Sequence, residues 1–178
     1  DALAEMTDIP VLGVIDPAVK SLAQNAPQKS TAGLIATKST IASKAYDRSL
    51  HKFHGSQFLV AKACPLLVPL IEEGYADSTA AELILKDYLE PLKEKGVSHL
   101  ILGCTHYPLI AGRIKALYPG FTLIDSAAET AAGLKILLAE KGIENQTGVG
   151  RVELYVSDMT ESMQNLKNLF FADKVDRF

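Results

Sequence analysis

Cysteine is scarce in this chain: Cys64 and Cys104 are the only two among 178 residues. Two thiols cannot build the disulfide framework that staples a small secreted domain. With one of them in a strand-end loop, a reducing cytoplasm is the expected compartment. Long apolar runs are also missing. No stretch reaches the roughly 20 residues that a membrane-spanning helix needs, and none reads as a signal peptide. Basic residues hold no excess, with 18 Lys and Arg against 21 Asp and Glu and a net charge of −3. No basic cluster is interleaved with aromatics. Nucleic acid and membrane are therefore not expected partners. Internal repeats and low-complexity segments are absent. "TKST" at 37–40 lacks the glycines of a phosphate loop. The Cys104-x-His106 pair lacks the second cysteine or histidine pair of a zinc motif, and His51 and His54 would join it only by a coincidence of folding. No metal is expected.

Against these absences stands an ordinary globular composition, 48% apolar and 22% charged. It suffices for one domain of usual size or two small ones. Short apolar segments alternate with helical ones. "IPVLGVI" over Ile9–Ile15 reads as a buried parallel strand, and Pro17 then opens a helix to Gln24. A strand at Ala32–Ala36 precedes a helix at Ser39–Leu50. Strand Phe58–Ala61 precedes a helical segment from Pro65 to Glu73. Ser78 or Thr79 caps a helix with an apolar stripe at Ala81, Ile84, Leu85, Tyr88 and Leu92, ended by Gly96. Strand Leu100–Leu102, helix Leu109–Leu117, strand "FTLID" and helix "AAETAAGLKILLAEKG" follow. "RVELYVS" and "TESMQNLKNLFF" form a last strand–helix pair. This alternation predicts an α/β fold with mostly parallel sheets covered by helices. Ligands in such folds sit beyond the carboxyl ends of strands, where Thr37, Cys104 and Asp125 fall.

Each of these residues carries two readings. A thiol near a helix start and a histidine can have its pKa lowered toward neutrality and serve as base or nucleophile; cysteine is also simply a small buried hydrophobe. His106 could tune that thiol, act as an acid, bind an anion, or pack at the surface. Thr37 and Thr40 could hold a carboxylate or phosphate with turn amides, or cap a helix together with Ser39. Glu72 and Glu73 end an apolar helix, where cations are electrostatically preferred. An acidic pair there is most often simply solvated, and the mild misfit raises a functional reading for one of the two only a little. Cys64, before Pro65, reads as structural, and His99 as a strand flank.

"LILGCTHYPLI" resembles the second-cysteine motif of the bacterial glutamate racemases. Three further stretches agree in order. "IPVLGVIDPA" is similar to the family's strand entering its second domain. "ATKSTIASKAY", with Thr37, Thr40, Ser43 and Tyr46, is similar to its threonine-bearing segment. "ACPLLVPLIEEG" is similar to the segment that carries an acidic residue near the catalytic histidine. Related aspartate racemases share the glycine–cysteine–threonine core but typically carry an acidic residue in place of the histidine. The resemblance covers nearly the whole chain. It implies a cofactor-free enzyme that converts L-glutamate to D-glutamate for peptidoglycan, using two thiols on opposite faces of the substrate. Cys104 would be one of them, His106 its assistant and Glu72 the support of His106. Thr105, Thr37 and Thr40 would bind substrate. A homodimer is implied for the full-length form.

The resemblance also implies a departure. The family's first catalytic cysteine, in a cysteine–asparagine–threonine motif, is absent, as is an aspartate–serine glycine-rich motif. By spacing that cysteine would fall just before Asp1, and Cys64 matches a different position. Asp16 stands where the family often has glutamate. The expectation is thus a carboxyl-terminal two-thirds of a two-domain protein with little or no racemisation by itself. Residues 18–126 would form a complete inserted domain, and 1–17 with 127–178 the remainder of a similar one. Two readings from other classes compete with it: a non-catalytic carboxylate-binding domain, and a thiol hydrolase using Cys104 and His106.

Overall fold

Short runs of branched and small apolar residues, each bounded by polar, Pro or Gly positions, set the framework of the computed structural model, which describes residues 2–53, 57–151, 153 and 155. Four such runs form strands: β1 (Thr31–Ala36), β2 (Phe58–Ala63), β3 (His99–Leu102) and β4 (Thr122–Asp125). They pair in the order β2-β1-β3-β4, all parallel. Ile35 lies opposite Lys62 on one side and Leu102 on the other. Inner strands covered on both faces must be apolar throughout, and five of the six residues of β1 are buried.

Helices cover both faces. On one lie α5 (Leu67–Glu72), α6 (Thr79–Glu94), a 3-10 turn at Tyr107–Ile110 and α7 (Ala111–Leu117). Their Leu67, Leu85, Leu89 and Ile114 pack with Ile35, Leu100 and Leu102. On the other lie α2 (Ile15–Asn25) and α4 (Ala45–Lys52), whose Val19, Leu22, Tyr46 and Leu50 pack with Leu34, Ile101 and Ile124. A short α1 (Ala2–Glu5), α3 (Lys38–Ala42) and a long α8 (Ser126–Lys141) complete the set. Caps are local. The Ser78 hydroxyl accepts the Ala81 N–H at 3.1 Å to start α6, and Gly142 ends α8 in the left-handed conformation.

The mixed α/β class with a parallel, helix-covered sheet stands as expected. Three local expectations do not. Ile9–Val14 is irregular rather than a strand, with Ile9, Val11 and Val14 about half exposed or more. An apolar run becomes a strand only where a neighbouring strand takes its hydrogen bonds, and no described residue pairs with this one. The helix expected over Ser39–Leu50 is broken into α3 and α4 by Lys44 at φ 54°. The helix expected from Leu109 begins two residues earlier, as the 3-10 turn, and becomes α-helical at Ala111. The last expected strand–helix pair lies, but for residues 151, 153 and 155, outside the described residues.

Candidate active site

Chain order places the site. From β1 the chain crosses to β2 on one side and then returns to β3 on the other, so the winding reverses between β1 and β3. In open α/β sheets the crevice at that reversal, beyond the strand ends, is where ligands bind. Thr37 follows β1 and Gly103-Cys104 follow β3. Gly103 lets the two ends close up: its N–H donates to the Ile35 carbonyl at 2.8 Å. A Cβ there would sit 2.8 Å from Leu34 Cδ1 and 3.0 Å from the Ile35 oxygen.

Three polar groups meet at this point. Cys104 Sγ lies 3.9 Å from His106 Nδ1. On the far side of the ring, His106 Nε2 lies 3.0 Å from Glu72 Oε1. Glu72 is the last residue of α5, whose Leu67, Leu70 and Ile71 are buried, so packing of the helix carries the carboxylate to the ring. The His106 and Glu72 side chains are 17% and 30% exposed, open enough to be reached yet partly desolvated.

The thiol is not lowered as expected from its histidine neighbour. Burial pushes Cys104 up from its ordinary value, and the Glu72 charge adds to this; the His106 N–H and the hydroxyl and N–H of Thr105 pull the other way. Desolvation outweighs the donors because a thiolate in a half-dry site loses water on most sides.

Thr105 is exposed beside the thiol. Thr37 and Thr40 stand at the end of β1, where the capping reading holds: Thr37 Oγ1 accepts the Thr40 N–H at 3.3 Å and lies 3.0 Å from Thr40 Oγ1 and 3.1 Å from Ser39 Oγ. Asp125 likewise caps a helix, accepting N–H groups of Ala127 and Ala128. Cys64 is fully buried and its thiol is pushed up to about 12, chiefly by burial, in keeping with the structural reading. Glu73 follows α5 as its cap residue, and His99 Nδ1 lies 3.0 Å from Ser98 Oγ. Among the described residues no three His, Cys, Asp or Glu side chains converge as a metal site; His54 lies outside them.

Residue-by-residue reasoning did not single out Ser126 or Tyr107. The Ser126 hydroxyl donates to the Leu102 carbonyl at 2.7 Å, tying β4's end to β3's, and it bonds to buried Tyr46, a neighbour of Cys104. Tyr107 is fully buried beneath the thiol turn. A polar residue directly after an apolar strand, as in "LIDS", was the available signal for the first. A separate groove of about 590 Å³ lies between α2, α8 and residues 11–13, lined by Asp16, Lys20, Ser21, Glu129 and Ile136 and by none of the thiol-site residues.

A helix-covered parallel sheet with a thiol, an imidazole and a carboxylate in series at its winding reversal defines an α/β protein with a strand-end thiol site. The chain belongs to the Asp/Glu/hydantoin racemase family, whose profile matches residues 1–134. It is 41% identical over 98% of its length to the glutamate racemase of Persephonella marina and 38% identical over 97% to that of a Sulfurihydrogenibium species. It spans 65% and 64% of the lengths of these two relatives. Among solved structures, the glutamate racemase of Francisella tularensis in complex with D-glutamate superposes with a TM-score of 0.89. Identity there is 31%, over 99% of this chain and 66% of that one. The Thermus thermophilus enzyme in complex with β-chloro-D-alanine gives 0.84 at 38% identity, over 99% of this chain and 64% of that one.

Proposed function

We propose that this chain carries one half of the acid–base apparatus of a cofactor-independent glutamate racemase, with Cys104 as the proton-transfer group on one face of the substrate's α-carbon. The observation that carries the reading is the series Cys104–His106–Glu72 at the winding reversal of the sheet. The glutamate racemase relatives, and the D-glutamate bound to one of them, support an acidic amino acid as the ligand.

In this reading the Cys104 thiolate takes the α-proton. The electron pair of the broken C–H bond stays on the α-carbon and spreads into the carboxylate. A second acid on the opposite face returns a proton, so no electron is gained or lost. A thiol pushed up by burial gives a less abundant but stronger base, which suits a very weakly acidic α-proton. His106 accepts the thiol proton, and Glu72 stabilises the resulting imidazolium. The carbanion's charge is met by fixed donors in a site from which water is largely excluded. Thr105, Thr37 and Thr40 hold the substrate. Each threonine hydroxyl both donates and accepts, so Thr37 can accept the Thr40 N–H and still donate to a carboxylate.

In the same reading residues 18–126 form one complete α/β domain, and 1–17 with 127–178 belong to a second, similar one; the sheet from Thr31 to Asp125 lies wholly within the first, and α2 (Ile15–Asn25) runs across its start. The full-length protein is a cytoplasmic homodimer serving peptidoglycan synthesis. One observation favours a reduced role for this chain alone. Of its two cysteines only Cys104 has any exposure, Cys64 being fully buried. By itself the chain then offers one thiol where racemisation uses two, so it binds a carboxylate and at most exchanges a proton on one face.

Proton NMR with L- and then D-glutamate in deuterated water tests this. The expected result is loss of the α-proton signal from one enantiomer without inversion, slowed by about 100-fold or more in Cys104→Ser. No exchange from a folded sample leaves the carboxylate-binding reading. An acyl adduct on Cys104 would instead identify a thiol hydrolase.

A further inference from the structure

Tyr107 follows His106 directly and opens the 3-10 turn beneath the thiol. It is fully buried, among the largest side chains in the core with no exposure. Its N–H donates to the Cys104 carbonyl at 3.1 Å, closing the turn that holds thiol and imidazole side by side. Its hydroxyl donates to the backbone carbonyl of Cys64 at 3.1 Å, a bond between residues 43 positions apart.

That carbonyl is a junction. It also accepts the Leu67 N–H at 3.3 Å, where α5 begins, and the Cys64 N–H donates to the Ala36 carbonyl at 2.9 Å, one residue before Thr37. The hydroxyl thus ties the turn after β3 to the residue after β2, whose own N–H is tied to the end of β1. α5 has only six residues. A helix that short has little stability of its own and takes its place from the contacts it makes. Yet it carries Glu72, which must stand 3.0 Å from a ring on a different turn.

We propose that Tyr107 is a positioning residue: by donating to the Cys64 carbonyl, its hydroxyl holds the Cys104–His106 turn at the spacing from α5 at which Glu72 meets His106. The proposal rests on the reading of Cys104, His106 and Glu72 as a working series. The ring alone does not explain the residue. A phenylalanine would fill the same space among Leu67, Leu102 and Ile110, but would leave the carbonyl with only its longer bond from Leu67.

The readout is the pH dependence of Cys104 alkylation by iodoacetamide, which follows the thiolate and needs no racemase activity. Cys64, fully buried, contributes nothing while the protein is folded. The titratable neighbours of the thiol are His106 on its own turn, Glu72 on α5, Tyr107, and Tyr46 on the other face of the sheet. Glu72→Gln removes the carboxylate that stabilises the imidazolium formed when His106 accepts the thiol proton, and slows alkylation near neutral pH by about threefold or more. Tyr107→Phe shifts the profile in the same direction, and the double variant shifts no further than Glu72→Gln alone. Tyr88→Phe removes a hydroxyl from the same core, where Tyr88 bonds to the Leu66 backbone, and leaves the profile in place. 3-Fluorotyrosine at position 107 keeps ring and donor, and restores the wild-type profile. A Tyr107→Phe profile that superposes on wild type while Glu72→Gln shifts overturns the positioning role and leaves the series intact. A Glu72→Gln profile identical to wild type removes the series itself, and the proposal with it.

Discussion

Cys64 and Cys104 each follow a strand of the same sheet, and burial separates their chemistry. Cys104 keeps some exposure and polar neighbours. Cys64 has no exposure, and burial, with the Asp87 charge adding and Lys62 opposing, pushes its thiol from 9.0 up to about 12. An unfolded chain loses this proton near its ordinary value, whereas the native protein keeps it to about 12. Between those values the unfolded state binds fewer protons, so stability falls as pH rises through the window, by on the order of 4 kcal/mol at its top. Below the ordinary thiol value both states are protonated and the contribution is intact. Urea unfolding midpoints should therefore drop more steeply from about pH 9 to about pH 12 in the wild type than in Cys64→Ala, which loses about 1 kcal/mol at neutral pH for its cavity. Buried tyrosines such as Tyr118 titrate in the same range, so the difference between the two proteins isolates the thiol. Parallel curves would show that Cys64 ionises freely in the native state.

Among the elements, the α3–α4 break shows how a single backbone conformation overrides a helical pattern. Lys44 adopts φ 54°, a region that costs an L-residue roughly 1–2 kcal/mol and costs glycine little. The Arg48 guanidinium anchors the break by donating to the Ser43 carbonyl at 2.6 Å. Lys44→Gly should raise unfolding free energy by about 0.5–1 kcal/mol, after glycine's greater entropy loss, as measured by urea denaturation; a loss of stability would mean that the lysine side chain makes an offsetting contact. The break was illegible because lysine is an ordinary helix former and nothing in "IASKAY" announces a left-handed residue. The strands were legible because buried parallel strands require short, continuously apolar runs between breakers. Ile9–Val14 met the same criterion and failed, since composition records the capacity to be buried and not the presence of a neighbour. At the site, spacing alone placed Cys104 beside His106. Glu72, 34 positions from His106, came from resemblance, because no local pattern encodes contacts that arise only when α5 folds against the thiol turn.

Over the whole molecule, charge and apolar surface act together. Ile9, Val11 and Val14 are exposed ahead of α2, and Leu134, Ile136 and Ile143 are exposed on or just beyond α8. Val11 and Ile136 line the same groove, so these side chains are not scattered singly. Apolar surface of that kind favours association, and net charge is the opposing term. The net charge is only −3 at neutral pH and vanishes in mildly acidic buffer as carboxylates and histidines take up protons. Light scattering at fixed concentration should accordingly peak at mildly acidic pH and fall as the pH is raised toward about 8, where repulsion grows. Ile136→Lys removes apolar surface from the groove wall and makes the net charge less negative, so the two terms separate. If exposed apolar area governs association, the variant scatters less than the wild type at every pH despite its smaller negative charge. If net charge governs it, the variant scatters more above neutral pH, and the groove is not the surface that draws molecules together.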